Sequence, residues 1–113
     1  MNGIYAIYFT GAFGSGHGVL LLRNGAIAGA DASGVLYDGS YRVEGNGEIL
    51  RGSVRMMVPP GAGLVTGAAA GSEPLSFDIP LALPTHLGNG RPLLLQTPTG
   101  PVNIIFKRLR GVE

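Results

Sequence analysis

A chain of 113 residues with a formal net charge of +1 and only 13% charged residues has room for one core and not for two. Its 20 glycines and 8 prolines, set against 45% apolar residues, exclude a helical bundle and a disordered segment and leave turn-rich β structure. The basic residues are dispersed except for Lys107, Arg108 and Arg110, which read as a solvated chain end, so no nucleic-acid partner is expected.

Runs rich in β-branched, aromatic and leucine residues, bounded by Gly, Pro and Asn, predict strands at 4–10, 17–23, 26–31, 35–44, 48–58, 74–83, 92–97 and 102–109. The first is apolar on both faces. No basic residue precedes Arg23, and this first apolar run is too short for a signal-peptide core or a membrane span. With no cysteine in the chain, a cytoplasmic protein without membrane partners is expected. The glycine-rich segment Gly11 to Gly18 reads as a flexible connection between strands.

Asn24-Gly25 predicts a two-residue turn that pairs Arg23 with Ala26, Leu22 with Ile27, Leu21 with Ala28 and Leu20 with Gly29. Arg23 then places Val19, Leu21 and Ala28 on the outside. Around Gly45-Asn46-Gly47, a turn on Asn46-Gly47 pairs Val43 with Leu50, Tyr41 with Gly52 and Gly39 with Val54, leaving Arg42, Arg51, Ser40 and Ser53 on the other face. Gly52 opposite Tyr41 is expected to give the ring room inside.

The segment from Pro59 to Ser72 is the one long connection, too rich in glycine for a stable helix. In the sixth strand Leu75, Phe77, Ile79 and Leu81 alternate with Ser76 and Asp78. Pro74 and Pro80 each remove a ladder donor there, which predicts an opening or a sheet edge. A turn on Thr99-Gly100 is expected to pair Thr97 with Val102, Leu95 with Ile104 and Leu93 with Phe106.

Eight strands suit a small closed barrel, so the expected fold is all-β: one eight-stranded antiparallel up-and-down barrel over 1–113. The interior set is Leu20, Leu22, Ile27, Tyr37, Tyr41, Val43, Leu50, Val54, Met56, Phe77, Ile79, Ile104 and Phe106. A barrel of this size is either filled by such side chains or keeps room for one apolar small molecule. If the last strand closes on the first, Val19, Leu21, Ala28, Leu94 and Ile105 form a contiguous apolar outer patch. Patches of that kind usually meet another chain, and a homodimer is expected.

No constellation for chemistry emerges. The segment Gly11 to Gly18 leads into a strand, whereas a phosphate loop must open a helix, so no nucleotide cofactor is expected. Gly3-Ile4-Tyr5 matches the opening of a nuclease family that also requires a Tyr-Ile-Gly motif, and the chain has none. His17 and His86 lie outside any metal-ligand spacing, and Gly-x-Ser-x-Gly is absent. Asp31, at a strand end, and Asp38, on an outward face, have the ordinary role of bonding turn backbone. A protein without catalytic, cofactor or metal residues is expected.

Gly3-Ile4-Tyr5, Gly16-His17-Gly18-Val19-Leu20, Asn24-Gly25, Ala28-Gly29-Ala30-Asp31 and Tyr37-Asp38-Gly39-Ser40-Tyr41, in that order, resemble the GrlR family of negative regulators of type III secretion genes. The resemblance is good over about the first 45 residues and looser through Ile49-Leu50, Phe77-Asp78-Ile79-Pro80-Leu81 and the last strand. It implies a lipocalin-like (calycin-type) barrel that dimerises, encloses an apolar cavity and binds a transcriptional activator rather than DNA. It also implies a partner loop after the fourth strand. Where the best-known members carry an acidic run, this chain reads Glu44-Gly45-Asn46-Gly47-Glu48, making Glu44, Asn46 and Glu48 the candidate contacts.

Overall fold

Two asparagines set the hairpins. Asn24 and Asn46 are the only non-glycine residues with positive φ (50° and 59°) among the described residues, and each precedes a glycine in the same region, Gly25 and Gly47. That left-handed pair is what a tight hairpin with the native strand twist requires. A computed structural model describes residues 2–112. Its strands are β1 (Gly3–Gly11), β2 (Gly14–Arg23), β3 (Ala26–Asp31), β4 (Leu36–Glu44), β5 (Ile49–Val58), β6 (Leu75–Pro84), β7 (Leu93–Thr97) and β8 (Gly100–Gly111).

They form one antiparallel sheet in the order β6-β5-β4-β3-β2-β1-β8-β7, curled into a nearly closed barrel. The last strand pairs with the first, as a meander predicts. The seam falls between β6 and β7, which carry no ladder between them. Pro80 and Pro84 deprive β6 of N–H donors, and β7 spans only five residues, so neither strand can complete the ring.

The β2–β3 and β4–β5 registers are those expected, with Leu22 opposite Ile27 and Val43 opposite Leu50. The β7–β8 register is not: Leu95 pairs with Val102, Leu93 with Ile104 and Thr97 with Gly100, two residues from the expected pairing. The reason is chemical. A turn on Thr99-Gly100 needs the Pro101 N–H to bond the Pro98 carbonyl, and proline has no N–H. The turn instead centres on Pro98-Thr99, held by the Thr97 hydroxyl donating to the Gly100 carbonyl at 2.7 Å. A two-residue shift preserves the faces, so Leu94 still points outward, 61% exposed, and Ile104 inward.

The segment Gly11 to Gly18 is also not the loose connection expected. β1 and β2 pair as far as Gly11 opposite Gly14, leaving only Ala12 and Phe13 in the turn. Gly11, Gly16 and Gly18 serve close approach, whereas Gly14 has a positive φ and open space. A Cβ at Gly16 would lie 2.6 Å from the Phe9 ring, and one at Gly18 would lie 2.5 Å from the Ala30 carbonyl. Gly52 is likewise a backbone matter: its Cβ would meet the Ser40 carbonyl at 2.1 Å and the Tyr41 Cα at 2.8 Å, ahead of any ring atom. Glycines at such inner positions let a sheet bend sharply enough to close.

Tyr5 and Ile7 of β1 point into the core beside Leu22, Ile27, Leu50, Ile104 and Phe106. Ile4, Ala6 and Tyr8 therefore face outward. A bulge between Ile4 and Tyr5 leaves Leu109 of β8 without a partner in the ladder, because Ile4 pairs with Arg110 and Tyr5 with Arg108. On the opposite wall the outer faces of β4–β6 are ionic. Arg42 and Arg51 both bond the Glu44 carboxylate, and the Arg55 Nε lies 3.0 Å from Asp78.

Candidate functional site

The inner face of β2 tapers. Reading from the β2–β3 turn, its inward positions are Leu22, Leu20, Gly18 and Gly16, so the interior is filled at one end and thin at the other. Leu22 and Leu50, each 1% exposed, with Leu83 and Leu87, close the filled end. Above them a cavity of about 300 Å³ runs through the barrel, lined by apolar side chains from β1 to β8. That volume lies at the small end of ligand-binding pockets.

Of the interior residues expected from the sequence, all but Tyr41 and Val43 line this cavity. Both of these have the expected inward register, but they lie past the filled end. Val43 is 46% exposed near the end of β4, while Tyr41 packs against the core from the side. Phe9, Leu64, Leu95 and Val102 line the cavity without having been singled out by sequence reasoning.

The other end has a different chemistry. Ser15, Asp31, Ser33, Thr66, Thr97 and Thr99 line the cavity, together with the Tyr37 hydroxyl, and all belong to strand ends or turns of that one end. Asp31 Oδ1 accepts the backbone N–H groups of Ser33 (2.9 Å) and Val35 (3.2 Å), the turn-bonding role expected of it. Its Oδ2 also accepts the Tyr37 hydroxyl at 2.6 Å, a contact that no turn rule anticipates. Burial first, and the Asp31 carboxylate second, push the Tyr37 phenol far above its ordinary value and keep it protonated. Among the described residues, no Lys, Arg or His side chain lines the cavity.

The long connection 59–74 covers this end. It folds back on itself through a Gly63–Ala69 bridge and contains no helix. The Phe13 N–H donates to the Val65 carbonyl at 2.8 Å, tying it to the β1–β2 turn. The Thr66 and Thr99 hydroxyls, 2.9 Å apart, tie it to the β7–β8 turn. Phe13, 78% exposed, lies against Gly67 at the mouth.

No family model and no curated protein matches the chain. Val19 (47% exposed), Leu21, Ala28 and Ile105 lie on the outer surface; Ala28, Leu21 and Ile4 form one row across β3, β2 and β1, and Leu36, Ala30, Val19 and Ala6 form the next. Leu94 stands apart from these rows, opposite Asn103.

In the expected partner loop, Glu44 is taken up by the chain's own arginines. Its hydrogen bonds to Arg51 and then to Arg42 hold its carboxyl below the usual carboxylate range. Asn46 and Glu48 are exposed. Among the described residues, no three His, Cys, Asp or Glu side chains gather where they could hold a metal ion, and no helix is long and apolar enough to cross a membrane.

Proposed function

We propose that this chain is a non-enzymatic regulatory protein of the GrlR kind, working in the cytoplasm through contact with a transcriptional regulator and pairing with a second copy of itself. The ordered motifs from Gly3 to Tyr41 support the family reading. The observation that carries the contact mode is the outer face of β1–β3, where Ile4, Ala6, Val19, Leu21, Ala28 and Ala30 form adjoining rows with no charged side chain among them. Val19, Ala28 and Ala30 are exposed there, and an uncharged apolar face on a small protein calls for a partner.

Light scattering on the eluting protein tests self-pairing. Wild type is expected at twice the chain mass, and Leu21→Arg and Ile105→Arg at the chain mass; a monomeric wild type would overturn it. Capture from the native host with the wild-type protein as bait is expected to recover a transcriptional regulator. Recovery of none would remove the regulatory reading.

A second reading is favoured by the cavity itself: a barrel that carries one small apolar molecule or lipid in its interior. Native mass spectrometry of the freshly purified protein is expected to show a single bound small molecule, or uptake of one on adding a medium-chain alcohol. A barrel that stays empty under both conditions excludes this reading.

A further inference from the structure

The end of the cavity near Asp31 has a chemistry that selects among guests. Its polar side chains cluster at one end, while the other end is walled by leucines. A guest with one polar group must therefore place that group beside Asp31 and the threonines and send its apolar part toward Leu22 and Leu50. A water's share of liquid volume is ~30 Å³ and a methylene needs nearly the same, so a chain of roughly ten atoms fills the space.

We propose that the guest is a single-chain amphiphile whose head donates hydrogen bonds and is uncharged or cationic, and that a carboxylate head is refused. The proposal rests on the second reading above. Asp31 supplies the discrimination. A carboxylate has about four acceptor sites, and the contacts from Ser33, Val35 and Tyr37 occupy three, leaving one lone pair on Oδ2 for a hydroxyl or ammonium donor.

A carboxylate guest would meet like charge at that position. Among the described residues, no Lys, Arg or His lines the cavity to offset it, and Tyr37 already commits its proton to Asp31. The hydroxyls do not rescue it: Thr97 donates to the Gly100 carbonyl, so Thr99 donates to Thr97 and accepts from Thr66, which leaves none of the three a proton to spare, and Ser15 and Ser33 are neutral, exposed donors that cannot offset the charge.

Isothermal titration of the wild-type chain with decanol, decylamine and decanoate at neutral pH separates the possibilities. Decanol and decylamine are expected to bind, and decanoate to bind at least about tenfold more weakly. Decanoate binding as tightly as decanol would overturn the head-group assignment while leaving the cavity reading intact. If none of the three binds, the cavity reading fails and this proposal with it.

Asp31→Asn is expected to bring decanoate to within about threefold of decanol. Continued refusal of decanoate by that variant would remove Asp31 as the cause. Because Asp31 also holds the 31–35 turn, Tyr37→Phe provides an independent variant that keeps the carboxylate and frees Oδ2. It is expected to bind decylamine about threefold more tightly than wild type, and equal or weaker binding would contradict a head placed at Oδ2.

Discussion

At the filled end of the barrel the inward positions are Leu22, Leu50 and Leu83, none more than 6% exposed. At the other end the inward positions of β2 are Gly16 and Gly18, and the wall carries Asp31, Tyr37 and three threonines. Both ends are built from the same strands in the same registers, so backbone topology cannot be the cause of the difference. What differs is the packing along those strands: leucines close one end, while at the other the Phe9 ring and the Ala30 backbone crowd the glycines and the wall turns polar. Small barrels use such alternation of size to fit their taper. One end supplies stability, and the other gives up packing in return for a site.

Cutting a side chain at each end sharpens that contrast. Leu22→Ala should cost about 3 kcal/mol in urea unfolding, since Leu22 is 1% exposed and its loss leaves a void that neighbouring strands cannot fill. A cost under about 1 kcal/mol would mean that the leucine end is not close-packed. Tyr37→Phe, at the cavity end, removes one hydrogen bond to a carboxylate and should cost about 1.5 kcal/mol by the same measurement.

The same tyrosine predicts a pH dependence. Its folded pKa is raised above the ordinary value of 10.0, so the folded state holds a proton that the unfolded chain loses first. This contribution is complete below that ordinary value and is lost as pH rises beyond it. Denaturant titrations across alkaline pH should show wild type losing stability more steeply than Tyr37→Phe. Parallel curves would contradict a buried Tyr37 held protonated, first by burial and second by Asp31.

Smaller effects are expected at the lid and on the outer wall. Thr66→Val breaks the tie to Thr99 and should cost about 0.5–1 kcal/mol, with faster amide exchange confined to the 59–74 connection. Exchange that quickens throughout the barrel would mean that the Thr66–Thr99 tie secures more than the connection itself. Glu44→Gln should change stability by less than about 0.5 kcal/mol, because its arginine partners are exposed on the surface. A larger loss would mean that the outer ion pairs, rather than inner packing, secure that end.

How much of this could be read from the sequence depends on local turn chemistry. Asn24-Gly25 and Asn46-Gly47 demand left-handed backbone, which is why the β2–β3 and β4–β5 registers, and hence most of the cavity wall, are legible. The Ala12-Phe13 turn carries no such signature, so the inward face of β1, with Tyr5 and Ile7, stays hidden. At Pro98-Thr99-Gly100-Pro101 the signal is present but subtler: the missing N–H of Pro101 excludes the Thr99-Gly100 turn, a rule that could have corrected the register.

The polar end is less legible still. The Asp31–Tyr37 bond requires the β3–β4 turn to be closed and Gly29 set opposite Tyr37. The Thr66–Thr99 contact joins residues 33 apart through a loop with no periodic pattern. The first contact depends on a hairpin register that no turn signature announces, and the second on the curvature that brings distant strand ends together.

The most direct test of a barrel with one filled and one receptive end is a methyl NMR titration of the wild-type protein with decanol. Leu20 and Leu22 face inward while their neighbours Val19 and Leu21 face outward, so adjacent residues report on opposite sides of the same strand. Shifts at Leu20, Leu22, Leu64 and Leu95, with Val19 and Leu21 unmoved, are expected. Shifts confined to Val19 and Leu21, or none at saturating decanol, would contradict the account.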